Sequence, residues 1–468
     1  MPTTPATPAT GFPDLIAHGA TACARVVAAG DATALELCDA AIAAIEAKDG
    51  ALNAVVLRDF DRARDQARAV DARRARGERP PLLGVPMTVK ESFNIAGLPT
   101  SWGLPPFRDF RPARDAAAVE RLKAAGAVIL GKTNVPAALA DWQTANPIHG
   151  RTAHPHDPSC TPGGSSGGGA AALAAGLVAL ELGSDLMGSL RVPAHFCGVW
   201  AHKPSAGILP LRGQAFPGTP DTVGPPPDLP TVIGPLARNA DDLLLALDVL
   251  AGPDMPMAQA WRLDLPPPRA ADPACWQVLV LDGHPLAAAA AEVRGAVDEA
   301  ARRLQAQGAR IVRAPELPPG SLPDLAALHQ AYRQWVMTVL GAFEPGASCD
   351  VSAHQWIHMG AERGRLRAQC FALMARFDAV LCPAFGCAAF PHDDEPDWTK
   401  RVLRIDGQDT PYDAQGAWAS LASLASLPAT VAPVMQGADG LPLGVQVIGP
   451  WLHDRGTVEV ARRIAGCA

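Results

Sequence analysis

Apolar residues recur every three or four positions through Leu35, Cys38, Ala41, Ile42 and Ile45. One face of a helix there must meet a core. Asp31-Ala-Thr-Ala in front of it supplies an N-cap. The whole stretch from Phe12 to Arg76 reads as helices. The pattern changes at Gly84-Val-Pro-Met-Thr-Val-Lys90, which is short, β-branched and bounded by proline, as a buried strand is. Ala127-Val-Ile-Leu130, closed by Gly131, is a second such run, and 116–125 between them reads as a helix. Strand, helix, strand in that order predicts a βαβ unit and a largely parallel sheet.

Beyond these, 161–169 is rich in glycine and serine, and 170–182 reads as a small-residue helix. The proline- and glycine-dense 204–235 reads as irregular. Helices are expected over 239–250, 293–307, 322–340, 354–377, 412–424 and 456–465. Strands are expected over 277–281, 310–313, 379–382 and 444–448, and 266–273 reads as a surface connection. No repeat or inert linker divides the chain. The expected architecture is α/β: a single large domain, with a central mixed, mostly parallel sheet flanked by helices. Residues 1–10 read as a disordered tail and 11–468 as the domain. Within it, 11–76 are N-terminal helices, 80–250 a core, and 251–468 a half that shapes the substrate site.

Composition narrows the function classes. Of the 468 residues, 19% are charged and the net charge is −7, so no basic footprint for nucleic acid stands out. The most basic stretch, Arg73-Arg74-Ala75-Arg76, reads as a solvated helix face. The N-terminus lacks the charged and apolar regions of a signal peptide, and no long apolar run suggests a membrane span. Ten cysteines show no CxxC spacing and read as reduced thiols, so a cytoplasmic location is expected. His354-Gln-Trp-Ile-His358 lacks the glutamate of a zinc-protease helix, and His392-Asp-Asp-Glu395 reads as an acidic loop.

Gly163-Gly-Ser-Ser-Gly-Gly-Gly169 runs straight into an apolar helix, so it is not a flexible linker. It lacks the Lys-Ser/Thr that a phosphate-binding loop needs after its last glycine. What remains is a loop that places hydroxyls where larger residues could not fit. A second small-residue turn, Gly183-Ser-Asp-Leu-Met-Gly-Ser-Leu-Arg-Val-Pro193, carries Ser189. Such a turn can aim successive N–H groups at one point beside its own hydroxyl, as an oxyanion hole requires. A serine nucleophile needs a base. None of the 12 histidines is flanked in a way that marks it as one. Lys90, at the end of an apolar strand, is either a desolvated amine able to act as base or a lysine with its head in water.

Taken together, these residues resemble the amidase signature family. The likeness rests on Gly163–Ala170 and Gly183–Ala194. It extends to Gly84–Glu91, Gly131–Pro136, Gln143–Pro147, Cys197–Ser205, Gly234–Arg238 and Gly440–Gln446. The resemblance implies a Ser–Ser–Lys triad: Lys90 as base, Ser165 as relay, Ser189 as nucleophile. It implies a cis peptide bond between Gly164 and Ser165. It assigns the oxyanion hole to the N–H groups of Leu186, Met187, Gly188 and Ser189, and gives Ser166, Asp185 and Arg191 the task of holding the two loops together. It requires no metal or organic cofactor. Two positions depart from the family. Met187 stands where glycine is common, and His154-Pro-His156 replaces the more usual Asn-Pro-Trp.

The expected activity is hydrolysis of the C–N bond of a small, largely apolar (aryl) amide through an acyl-Ser189 intermediate. Carbamates and esters are further candidates, because urethanases and esterases share the triad. Leu139, Trp142 and Met187 are candidates to line an apolar pocket. The expected partner is a small-molecule amide or carbamate, without nucleic acid or membrane; a homodimer is allowed. Alternatives are the glutamine-hydrolysing component of an amidotransferase and a non-catalytic binding protein on the same scaffold. Specificity should come from the loops 136–156, 211–229 and 341–395.

Overall fold

The computed structural model describes residues 11–219, 231–341 and 351–465. The expected N-terminal tail and parts of the second and third specificity loops lie outside the described residues.

Eleven strands of the described residues form one sheet. In chain order they are Val55–Arg58 (β1), Pro86–Lys90 (β2), Val128–Thr133 (β3), Leu180–Asp185 (β4), Trp200–Lys203 (β5), Val232–Ala237 (β6), Gln277–Val280 (β7), Arg310–Arg313 (β8), Ala379–Pro383 (β9), Ala429–Gln436 (β10) and Pro442–Ile448 (β11). The order across the sheet is β1-β3-β2-β4-β6-β5-β10-β11-β9-β7-β8. β2 pairs parallel with β3 and β4, and β7 pairs parallel with β8 and β9. The other neighbours are antiparallel. The sheet is mixed, as expected, with its parallel pairing in two blocks near either end. β10 and β11 are joined by a short turn in which Gly437 N–H donates to the Leu441 carbonyl at 2.8 Å, and so short a link permits only antiparallel pairing.

β2, β3, β4, β9 and β11 are buried along their whole length. Strands covered on both faces read as continuous apolar runs, and the expected strands β2, β3, β9 and β11 are of this kind. Five strands are not foreseen: β4, which falls in a stretch read as helix, β10 (Ala-Thr-Val-Ala-Pro-Val-Met-Gln), which carries a proline, and three more. β5 (Trp-Ala-His-Lys) carries polar residues, β6 (Val-Ile-Gly-Pro-Leu-Ala) carries glycine and proline, and β1 is embedded in helical sequence. The expected helix over 170–182 proves to be two elements. A helix runs Gly167–Ala174, starting inside the glycine loop, and β4 begins at Leu180. The stretch 341–395 is likewise not one loop, since it contains the helix Ala353–Met374 and β9. The N-cap before Ala34–Leu52 is Thr33: its hydroxyl accepts from Glu36 N–H at 3.1 Å while Glu36 accepts from Thr33 N–H at 2.8 Å.

No helix among the described residues is long and apolar enough to cross a membrane. No group of three metal-ligating side chains occurs among them; His354 and His358 pair with each other on an exposed helix face, 3.0 Å apart. For the candidate site the decisive pairing is β2 with β4. Because they run parallel, their carboxyl ends emerge on one edge of the sheet, where ligand sites of open α/β sheets lie. Lys90 ends one strand and Asp185 the other.

Candidate active site

The glycine loop is seated by close backbone approach. Gly163 has φ 86°, and a Cβ there would stand 2.8 Å from Pro193 Cα. A Cβ on Gly164 would collide with the Asp141 carbonyl. The Gly164–Ser165 peptide bond is cis, as the family resemblance implies.

These constraints deliver the Ser165 hydroxyl to Lys90. Lys90 Nζ lies 2.7 Å from Ser165 Oγ and 3.0 Å from Ser184 Oγ. Lys90 is fully buried, so the reading with its head in water does not hold. Desolvation lowers its pKa to about 7, against the raising influence of Asp185 and Glu181. At neutral pH a large share of the amine is therefore uncharged and able to accept a proton along the line to Ser165.

Two neighbours of the lysine were not anticipated. Ser184 Oγ is a second hydroxyl partner of the amine beside that of Ser165. Glu181 lies under β2, accepting from Thr88 Oγ1 at 2.5 Å and Thr133 Oγ1 at 2.6 Å. Burial raises the Glu181 pKa to about 8 against those two hydroxyl donors and the Lys90 charge. The sequence carried a signal for it: Thr88 and Lys90 share one face of β2, and Glu181 stands between Leu180 and Leu182 in the neighbouring strand.

The turn 186–189 has an asymmetric pattern of hydrogen bonds. All four carbonyls are held. Leu186 O accepts from the Tyr332 hydroxyl, and Met187 O from Trp142 Nε1 at 2.8 Å. Gly188 O accepts from Val192 N–H at 2.7 Å and Ser189 O from Ser166 N–H at 3.1 Å. Of the four N–H groups, only Gly188's is committed, donating to Asp185 Oδ1 at 2.9 Å. The N–H groups of Leu186, Met187 and Ser189 have no protein acceptor among the described residues. Of the four N–H groups expected in the oxyanion hole, that of Gly188 is thus engaged by a carboxylate, while the other three stay unengaged among the described residues.

Ser166, Asp185 and Arg191 are brought together with these loops. Ser166 Oγ donates to the Ser184 carbonyl at 3.2 Å. Asp185 receives Arg191 Nε at 3.0 Å and Nη2 at 2.8 Å, both side chains being buried. Burial acts to raise the Asp185 pKa, but the guanidinium outweighs it and holds it at about 2. Arg191 also donates to Gln446 Oε1, Ser423 Oγ and the Ala419 carbonyl, tying the turn to β11 and to the helix Gly416–Leu424. Arg191→Met would leave the Asp185 charge buried and unpaired. Urea unfolding should show a loss of about 3–5 kcal/mol; a loss below about 1 kcal/mol would mean the pair is dispensable.

Of the expected pocket residues, Trp142 and Met187 meet. A Cβ on Gly416 would lie 2.7 Å from Met187 Sδ and 3.3 Å from the Trp142 ring. Trp142 makes edge contacts with Phe385, Trp398 and Tyr412. Leu139 is half-buried with φ 60° in the short turn Ala137–Leu139, three residues before Trp142, and no contact ties it to the triad. His154, the departure noted above, is structural: its Nδ1 accepts from the N–H groups of His156 and Asp157, and Nε2 faces the Phe196 carbonyl at 2.9 Å.

The family model described as Amidase matches residues 36–341 and 340–458. The chain is 37% identical over 451 residues to the AtzE component of 1-carboxybiuret hydrolase from Pseudomonas sp. (strain ADP), covering 91% of this chain and 93% of that protein. It is 45% identical over 230 residues to one component of the glutamyl-tRNA(Gln) amidotransferase of Anaeromyxobacter sp. (strain K), covering 49% of this chain and 45% of that one. Among solved structures, a chain of an inhibitor-bound protein complex that bears on the origins of an s-triazine catabolic enzyme superposes with a TM-score of 0.81 at 32% identity, over 95% of this chain and 97% of that one. A bacterial aryl acylamidase of the amidase signature family shares the fold, with a TM-score of 0.79 at 23% identity over 97% and 100% of the two chains. The glycine loop, the buried lysine and these matches lead to one assignment: the chain belongs to the amidase signature family of amide-hydrolysing enzymes.

Proposed function

We propose that the chain cleaves the C–N bond of a small, largely apolar amide through an acyl-Ser189 ester, with carbamates and esters as further substrates. The observation that carries this reading is the turn 186–189, which ends in Ser189: every carbonyl is held, while three N–H groups have no acceptor among the described residues. Neutral Lys90 accepts a proton from Ser165, which takes one from Ser189 as its Oγ attacks the substrate carbonyl carbon. The N–H groups of Leu186, Met187 and Ser189 receive the oxyanion. The C–N bond then breaks, Ser165 passes a proton to the leaving nitrogen, and the ester remains. Water, deprotonated through the same pair, releases the acid and restores Ser189. A carbamate would follow the same route, and carbon dioxide would leave after hydrolysis.

The aromatic cluster around Trp142, with the Met187 thioether against it, supports an apolar substrate. The similarity to the AtzE component of 1-carboxybiuret hydrolase adds ureas to the classes worth testing. A panel of anilides, aryl carbamates, aryl esters, N-substituted ureas and free glutamine, ranked by kcat/KM, tests the proposal. Anilides or aryl carbamates should lead; glutamine in first place would replace this reading by that of an amidotransferase component. Met187→Gly should raise kcat/KM for bulky anilides over acetanilide by about tenfold, the scale of one or two methylenes of pocket space. An unchanged ratio would place the thioether outside the pocket.

A further inference from the structure

Two of the four carbonyls of the oxyanion turn are held by backbone N–H groups that any sequence would supply. The other two are held by side chains from remote segments: Trp142 Nε1 on Met187 O, and the Tyr332 hydroxyl on Leu186 O. Tyr332 belongs to the helix Leu325–Gly341, which packs on the helix Gly416–Leu424. It is fully buried, so its hydroxyl has no bulk water to turn to. Its own surroundings are fixed as well. Ser423, which receives Arg191 Nη2 at 2.9 Å, is also a hydrogen-bonding neighbour of the Tyr332 hydroxyl, and burial raises the Tyr332 pKa well above the usual phenol value.

The bond from Tyr332 bears on catalysis through the planarity of the peptide unit. In a trans amide the carbonyl and the N–H point in opposite directions. A donor on Leu186 O therefore sets the direction of the Met187 N–H, one of the three unengaged donors beside Ser189. A hydrogen bond to the carbonyl also polarises the amide and strengthens its N–H as a donor, by about 10–30% per bond in condensed-phase estimates. The Trp142 bond does not have this effect on the hole. The peptide it holds, Met187–Gly188, points its N–H at Asp185.

We propose that Tyr332 is a positioning residue for the reaction: its hydroxyl, through Leu186 O, aims and strengthens the Met187 N–H in the oxyanion hole. This rests on Ser189 being the nucleophile of the preceding section. The residue touches no reacting atom, so its removal loosens a donor without deleting one. Deleting a donor costs about 10²–10³ in rate, and the expected loss is smaller, about tenfold.

The test is Tyr332→Phe, which keeps the ring and removes the hydroxyl. The probe is phenylmethylsulfonyl fluoride, followed by intact-protein mass and by peptide mapping of the modified serine. We expect the limiting rate of Ser189 sulfonylation to fall about tenfold, with the half-saturating concentration and the pH midpoint unchanged. Phenylboronic acid, which forms a tetrahedral anion on the serine, should bind about tenfold more weakly. A role confined to packing would lower the melting temperature while leaving the limiting rate and the boronate affinity intact, and that result overturns the proposal. So does a change in half-saturating concentration alone, which would make Tyr332 a pocket residue. Should the wild-type chain not be labelled at Ser189, the nucleophile assignment falls and this proposal with it. Labelled wild type with an unaffected Tyr332→Phe sinks this proposal alone.

Discussion

Ser189→Ala should lower kcat on the best amide of the panel by about 10⁴-fold or more, with little change in substrate affinity. Loss of a serine nucleophile costs up to about 10⁶ in kcat in well-studied proteases, because the oxyanion hole and binding survive it. The same split is expected here. The hole donors at Leu186, Met187 and position 189 are backbone groups, and Ser166 N–H still reaches the carbonyl of residue 189. The choice of Ser189 over Ser165 follows from accessibility and from partners. Ser165 is 1% exposed with its hydroxyl against the lysine, whereas Ser189 is 7% exposed at the end of the free-donor turn. The substitution removes one oxygen and no buried network, so the melting temperature should stay near wild type. Intact mass after treatment with phenylmethylsulfonyl fluoride completes the test, since wild type gains one sulfonyl group and the variant none. A variant that is still labelled, or that keeps a tenth of the activity, would move the nucleophile elsewhere.

Much of this site was legible because its chemistry depends on short motifs. The glycine loop, the turn before Arg191 and the strand ending in Lys90 are contiguous in sequence, and their family likeness supplied the pairing that spacing alone left open. What was not legible depends on contacts made across the fold. Ser184 and Glu181 became neighbours of Lys90 only through the parallel pairing of β4 with β2. Tyr332 reaches Leu186 across 146 positions of chain. The commitment of Gly188 to Asp185 is a local bond, yet whether a backbone donor is free or engaged cannot be read from residue names. The strands at Trp200–Lys203 and Val232–Ala237 escaped notice because strand patterning assumes apolar, proline-free runs. At this site the strand next to β4 carries the proline and glycine that pattern would reject.

Lys90→Met should abolish catalysis and make the protein more resistant to heat at neutral pH. The base is the neutral amine, and its pKa is about 7, so kcat/KM should rise through pH 7 and level off above it. In the unfolded chain this lysine titrates near 10.5, so between about pH 7 and 10.5 the unfolded state binds more protons, and stability rises with pH. The cost of burying the lysine is fully present below pH 7 and vanishes above 10.5. At pH 7 it is about 4 kcal/mol by that linkage. Removing one partner of a buried ion pair normally destabilises, but Lys90 is not such a partner. Its amine bonds to Ser165 and Ser184, Asp185 is neutralised by Arg191, and Glu181 is already held toward its protonated form by burial. Two serine hydroxyls lose a partner, at about 1 kcal/mol each, which leaves a net gain of about 2 kcal/mol. Differential scanning calorimetry at pH 7 should therefore show the inactive variant melting above wild type, and the difference should shrink toward pH 10. A lower melting temperature for Lys90→Met at pH 7 would show that the lysine is carried in its charged form as a structural group, and the base would have to be sought elsewhere.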